Sequence, residues 1–111
     1  MSGEEFELME EKYPELSKSP VAHNIVCTCN IMRETLLQKN RDYGDSFEKT
    51  LDRYGDTALM LRLEDKWNRL ESLFQNKENL VKDESFEDTV RDLAGYCLLY
   101  LAIRSDFDGD A

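Results

Sequence analysis

Apolar residues recur along this chain with the period of a helix, and no segment alternates like a strand. Ile25, Cys29, Met32 and Leu36 are spaced four, three and four apart, which places them on one helical face. Ser19-Pro20 supplies the start, with serine as N-cap and proline at the first helical position, where its missing N–H is not needed. The pattern carries this helix to about Gln38. Lys39-Asn40-Arg41-Asp42-Tyr43-Gly44 breaks it and reads as a turn. Phe47, Leu51 and Tyr54 resume the period for a short helix that Gly55 closes as a C-cap. Asp56 or Thr57 can cap a third helix, with Leu59, Leu63, Trp67, Leu70 and Phe74 as its buried stripe. Gln75 to Glu84 is a polar connection. Ser85 then opens a last helix, with Phe86, Val90, Leu93, Cys97 and Leu101 predicted to face inward.

Beyond Asp92 the last helix is apolar almost all round, from Leu93 to Ile103. A helix without a polar face is covered on more than one side, and in a short chain a second copy is the natural cover. The pattern therefore predicts an all-α bundle of about four helices, completed by oligomerisation as a homodimer or homotetramer. Residues 1–18, acidic and holding Pro14, read as a partly ordered arm with one helical turn. The folded domain is expected over 19–104, and 105–111 as an acidic tail.

With 111 residues and a hydrophobic fraction of 41%, the chain has room for one domain with a modest core. Its 24 acidic and 14 basic side chains leave a net charge of −10. Such a surface repels nucleic-acid backbones and anionic membranes, so neither is an expected partner. A nucleotide is a different case, because Mg²⁺ can arrive with it and neutralise both its phosphates and protein carboxylates. No apolar run approaches the ~20 residues of a membrane span, and no export signal is visible. Cys27, Cys29 and Cys97 form no C-x-x-C pair, and with a single histidine they read as reduced thiols of a cytoplasmic protein.

The chain lacks a phosphate-binding G-x-x-x-x-G-K, a G-x-G-x-x-G, and any serine or cysteine at a catalytic spacing from His23. Chemistry here has to be built from carboxylates and a few cations. Asp88 and Asp92, four apart, lie one above the other on a helix. Asp92 adjoins the most apolar stretch of the chain, where an uncompensated carboxylate is costly. A hard divalent cation would compensate both. Asp88 has a second reading: Ser85-x-x-Asp88 fits a capping box. Arg62, Asp65 and Arg69, with Lys66 beside them, form a mixed-charge stripe. It is either a solvated helix face or a face on which Asp65 meets the Asp88/Asp92 pair while the cations reach phosphates. Glu7-x-x-Glu10 reads as a solvated turn of the acidic arm. Asp106-Phe-Asp-Gly-Asp110 is too short for a calcium loop.

Lys39-x-x-Asp-Tyr-Gly-Asp-Ser-Phe47, Arg62-x-x-Asp-Lys-x-x-Arg-Leu70 and Glu84-Ser-x-x-Asp-Thr-x-x-Asp-Leu-Ala94 together resemble the nucleotide modification associated domain of the first type. That family looks like a branch of the all-α nucleoside triphosphate pyrophosphohydrolases, which include MazG and the all-α dUTPases. The resemblance covers roughly residues 22–103. It implies a MazG-like oligomeric helical bundle, a role in phage or bacterial nucleotide metabolism, and Mg²⁺ as cofactor. The superfamily signature is Glu-x-x-Glu on one helix and Glu-x-x-Asp on the next. Asp65 and Asp92 match the second acid of each pair, while Arg62 and Thr89 stand at the places of the first. Metal ligands are thus expected from Asp65, Asp88 and Asp92, with Glu84 or Glu64 as a further oxygen donor and no catalytic residue separate from them. Lys39, Arg62, Lys66 and Arg69 are the expected phosphate partners, and Tyr43 the expected stacking partner of a base. The expected reaction is hydrolysis of a nucleoside triphosphate to a monophosphate and pyrophosphate. The alternatives are a non-catalytic nucleotide sensor with the same fold, or an acidic helical protein-interaction partner.

Overall fold

A computed structural model of the chain describes residues 2–43, 45–76 and 84–106, and for residues 43, 84 and 85 the description stops at the backbone. The fold is all-α, with no strand among the described residues. It divides into two compact units, Met1–Arg41 and Asp42–Ala111.

In the first unit the acidic arm is a ten-residue helix, α1 (Gly3–Lys12), where a single turn was expected. The reason lies in its cap. Ser2 Oγ accepts the Glu5 N–H at 3.1 Å, Glu4 and Glu5 face the positive end of the helix dipole, and Lys12 sits at the negative end. A 3-10 turn over Pro14–Ser17 buries Leu16. Helix α2 (Pro20–Tyr43) begins as the Ser19-Pro20 signal predicts, with Ser19 Oγ accepting the Ala22 N–H at 3.2 Å. It runs five residues past the predicted end at Gln38. Lys39 to Tyr43 contain neither glycine nor proline, so nothing in them opposes helix continuation although their apolar pattern stops. The buried residues of α2 are Val26 and Met32, while Ile25 and Cys29 are exposed and Leu36 is half-buried. Phe6 meets His23 edge-on at 6.2 Å, joining α1 to α2.

The second unit contains α3 (Ser46–Tyr54), α4 (Thr57–Gln75) and α5 (Glu84–Arg104). Gly55 ends α3 at φ 68°, as its place in the sequence predicts. The core forms where α3 packs on the α4–α5 pair. Phe47, Leu51 and Ala58 are buried there against Leu59, Tyr96, Leu99, Tyr100 and Ile103. Leu51 is 1% exposed, so its burial alone contributes roughly 2 kcal/mol. Phe47 and Tyr96 meet edge-on at 5.4 Å. Asp56 precedes α4, but its carboxylate makes no cap bond. It accepts from Tyr100 Oη at 2.8 Å and from Arg104 Nη2 at 3.4 Å, tying the start of α4 to the end of α5. The Arg104 guanidinium is held above its ordinary value, chiefly by Tyr100, with partial desolvation opposing and Asp56 adding.

The predicted inward faces are met in part. On α4, Leu59, Leu63 and Leu70 are half-buried as the stripe predicts, whereas Trp67 is 57% exposed and Phe74 61% exposed. Val90 and Leu101 are also exposed, while Phe86, Leu93 and Cys97 are half-buried. The seam that α5 turns inward is Thr89, Asp92, Tyr96, Leu99 and Ile103, again spaced three and four apart but rotated by about 100° from the predicted line. Polar residues at one end hide this seam from a hydrophobicity pattern.

Candidate functional site on the α4–α5 hairpin

Helices α4 and α5 run antiparallel: Asp56 reaches Tyr100 and Arg104, Lys66 reaches Asp92, and Arg69 reaches Thr89. In an antiparallel pair, turning the same way from each helix's contact line leads to the same side of the pair. With about 100° per residue, and Lys66 and Tyr96 marking the contact lines, Arg62, Asp65 and Arg69 of α4 share one side with Asp88 and Asp92 of α5. Ala58 and Leu99, which pack on α3, lie on that side too, nearer the hairpin's open end. Five of the sequence-predicted residues, Arg62, Asp65, Arg69, Asp88 and Asp92, therefore share one side of one helix pair, with Lys66 on its contact line.

Their contacts are specific. Lys66 Nζ stands 3.5 Å from Asp92 Oδ2, with both side chains about one-third exposed. This ammonium compensates the Asp92 carboxylate beside the apolar stretch, a role the sequence left open for a metal. One turn along, Arg69 Nε donates to Thr89 Oγ1 at 3.2 Å. Thr89 is 2% exposed, the one buried polar residue of the described chain. Sequence reasoning noted Thr89 at the place of a signature acid, three residues before Asp92, but gave it no role. Asp88 is exposed and accepts from Arg91 Nη1 at 2.9 Å, while Arg91 Nη2 also binds Glu87 at 3.2 Å.

Asp65 and Arg62 are exposed on α4. Among the described residues no three histidine, cysteine, aspartate or glutamate side chains stand close enough to hold a metal ion together. Lys66, not Asp65, is what α4 brings to Asp92. The side chains of Glu84 and Tyr43 lie outside the described residues. Lys39 is exposed near the end of α2, in the first unit rather than in the hairpin's. His23 faces Phe6, and its Nε2 lies 3.5 Å from Cys27 Sγ, within the first unit. No helix among the described residues is long and apolar enough to cross a membrane.

No curated protein and no solved structure matches the chain. The family model for nucleotide modification associated domain 1 matches residues 39–103. That span takes in α3, α4 and α5 up to Ile103, and with them the charged side of the hairpin. By this match over more than half of its length, the chain belongs to the nucleotide modification associated domain 1 family.

Proposed function

We propose that the protein is a Mg²⁺-dependent nucleoside triphosphate pyrophosphohydrolase of the MazG-like, all-α type, acting in phage or bacterial nucleotide metabolism as a homodimer or homotetramer in the cytoplasm. The observation that carries this reading is the interleaving of Lys66 and Arg69 with Asp92 and Thr89 across α4 and α5, with Arg62, Asp65 and Asp88 on the same side. The donor chemistry fits the ion: Asp65, Asp88, Asp92 and Glu84 offer carboxylate oxygens, which Mg²⁺ prefers, and few protein ligands suffice when phosphate and water complete the shell. Bound Mg²⁺ would supply charge neutralisation and polarise the α-phosphate and its attacking water.

The chain's own part is positioning and charge exchange. Lys66 and Arg91 now neutralise Asp92 and Asp88. With a cation on the carboxylates, these long side chains can swing to phosphate oxygens, joined by Arg62 and Arg69. Lys39 remains a sequence candidate for phosphate and Tyr43 for stacking on a base.

One specific observation favours a second reading, a nucleotide sensor without turnover. Asp88 and Asp92 each already have a cationic partner, so the charged side can accept phosphate through its arginines and lysines without any metal.

Pyrophosphate release from common and modified nucleoside triphosphates, with Mg²⁺ and with chelator, separates the two. The hydrolase reading expects Mg²⁺-dependent release that Asp92→Asn reduces by about 100-fold or more while helicity is retained. Nucleotide-induced thermal stabilisation with no release in any condition would leave the sensor. Indifference to every nucleotide would sink both.

A further inference from the structure

Several arginines of this chain find carboxylates. Arg33 stands 3.9 Å from Glu34, Arg91 2.9 Å from Asp88, and Arg104 3.4 Å from Asp56. Arg69 is held differently. Its Nε donates to the Thr89 hydroxyl at 3.2 Å, a neutral partner, so the group that fixes this guanidinium does not cancel its charge. The anchor is firm: Thr89 is 2% exposed on the inward seam of α5, while Arg69 reaches solvent from α4. With 24 acidic against 14 basic side chains, carboxylates abound in this chain. A guanidinium held by a hydroxyl instead keeps its charge for an anion from outside.

We infer that Arg69 takes a phosphate of the nucleotide directly, with no metal between them, and that Thr89 is the positioning residue that aims it. The inference rests on the reading that the charged side of the hairpin binds nucleotide phosphates, whether or not it hydrolyses them. With Nε engaged by Thr89, the two terminal nitrogens of Arg69 form the fork that matches two oxygens of one phosphate. The bond runs from α4 to α5, so it fixes the guanidinium against both helices, and less rotamer freedom is lost when an anion arrives. Lys66 and Arg91 have to leave Asp92 and Asp88 before they reach a phosphate, whereas Arg69 can keep its Thr89 bond and bind. Lys66 lies one turn before Arg69 on α4, where its ammonium adds to the same positive field.

Isothermal titration of the full chain with inorganic pyrophosphate, in chelator, tests this. Wild type should show saturable binding, and Arg69→Gln should weaken it about 30-fold or more while helical circular dichroism is unchanged. Two variants separate aim from packing. Valine at 89 keeps the shape and loses the hydroxyl; serine keeps the hydroxyl and leaves a small void. Thr89→Val should weaken pyrophosphate about 5-fold or more, and Thr89→Ser should bind as wild type although it melts lower. Pyrophosphate binding without nucleotide turnover upholds the inference alongside the sensor. An Arg69→Gln chain that binds as wild type overturns it, as does affinity that merely follows melting temperature across the two Thr89 variants. Mg²⁺-dependent nucleotide hydrolysis with no pyrophosphate binding in chelator overturns it too, and leaves the hydrolase reading standing. No binding of pyrophosphate or of any nucleotide removes both. Should Thr89→Val fail to fold, Arg69→Gln and Thr89→Ser still decide.

Discussion

Thr89 and Arg69 illustrate how much rests on single contacts in this hairpin. A hydroxyl that is 2% exposed needs its partners, and Arg69 Nε is one of them at 3.2 Å. Thr89→Val keeps the branched shape and removes the hydroxyl, leaving Arg69 to find water at its exposed end. The expected cost is about 1 kcal/mol. Thr89→Ala should cost more, because it adds a void beneath α4. Urea unfolding midpoints of the two variants check the order. Equal midpoints for Val and wild type would mean that the bond adds nothing to stability. The Lys66–Asp92 pair is different: both side chains are partly solvated, so screening holds its share of stability below about 1 kcal/mol. Its interest lies in function, since it sets the charge that an incoming phosphate or cation would meet.

At the scale of elements, the two-residue connection from α3 to α4 depends on Gly55. Its φ of 68° with ψ of −155° lies in a region that side chains with a Cβ avoid, and it differs from the left-handed helical region that asparagine tolerates. Space is not the constraint, as a Cβ added there would have nothing within 4 Å. Gly55→Ala should therefore cost about 1–3 kcal/mol through backbone strain alone, and Gly55→Asn should fare no better. Thermal melts of both variants test this. Full rescue by asparagine would show that the turn relaxes into the left-handed helical region. The same connection carries Asp56 to Tyr100 and Arg104, so loosening it should also fray the paired ends of α4 and α5.

For the whole molecule, the charge of −10 on 111 residues acts against compaction and association alike. Raising monovalent salt from ~10 mM to ~150 mM shortens the Debye length from about 30 to about 8 Å. Melting temperature should rise over that range, because screening weakens repulsion among the excess carboxylates. A melting temperature that falls with salt would mean that favourable ion pairs outweigh net repulsion. Melts at several protein concentrations separate the effects, since dimerisation makes the midpoint concentration-dependent and intramolecular repulsion does not.

The sequence by itself determined the elements. Period and caps located α2 from Ser19-Pro20, α3 to its end at Gly55, the start of α4 at Thr57, and the extent of α5, because these depend on local backbone chemistry. The same local rules, fully applied, would also have found α1, since Ser2-x-x-Glu5 is a capping signature. Spacing also put Arg62, Asp65 and Arg69 on one helix and Asp88 and Asp92 on the next, both within the family's span. Leu59, Leu63 and Leu70 of α4 were legible as an inward line, but the inward face of α5 and the exposure of Trp67 and Phe74 were decided only by tertiary structure. A hydrophobic stripe marks where water is unwelcome, without saying whether a helix of the same chain or another molecule will exclude it. Here α5 chose the mixed seam, because Lys66 and Arg69 could satisfy Asp92 and Thr89 as they were buried. That choice left Trp67 and Phe74 outside, and it put a lysine where a metal-centred reading of the sequence had put Asp65.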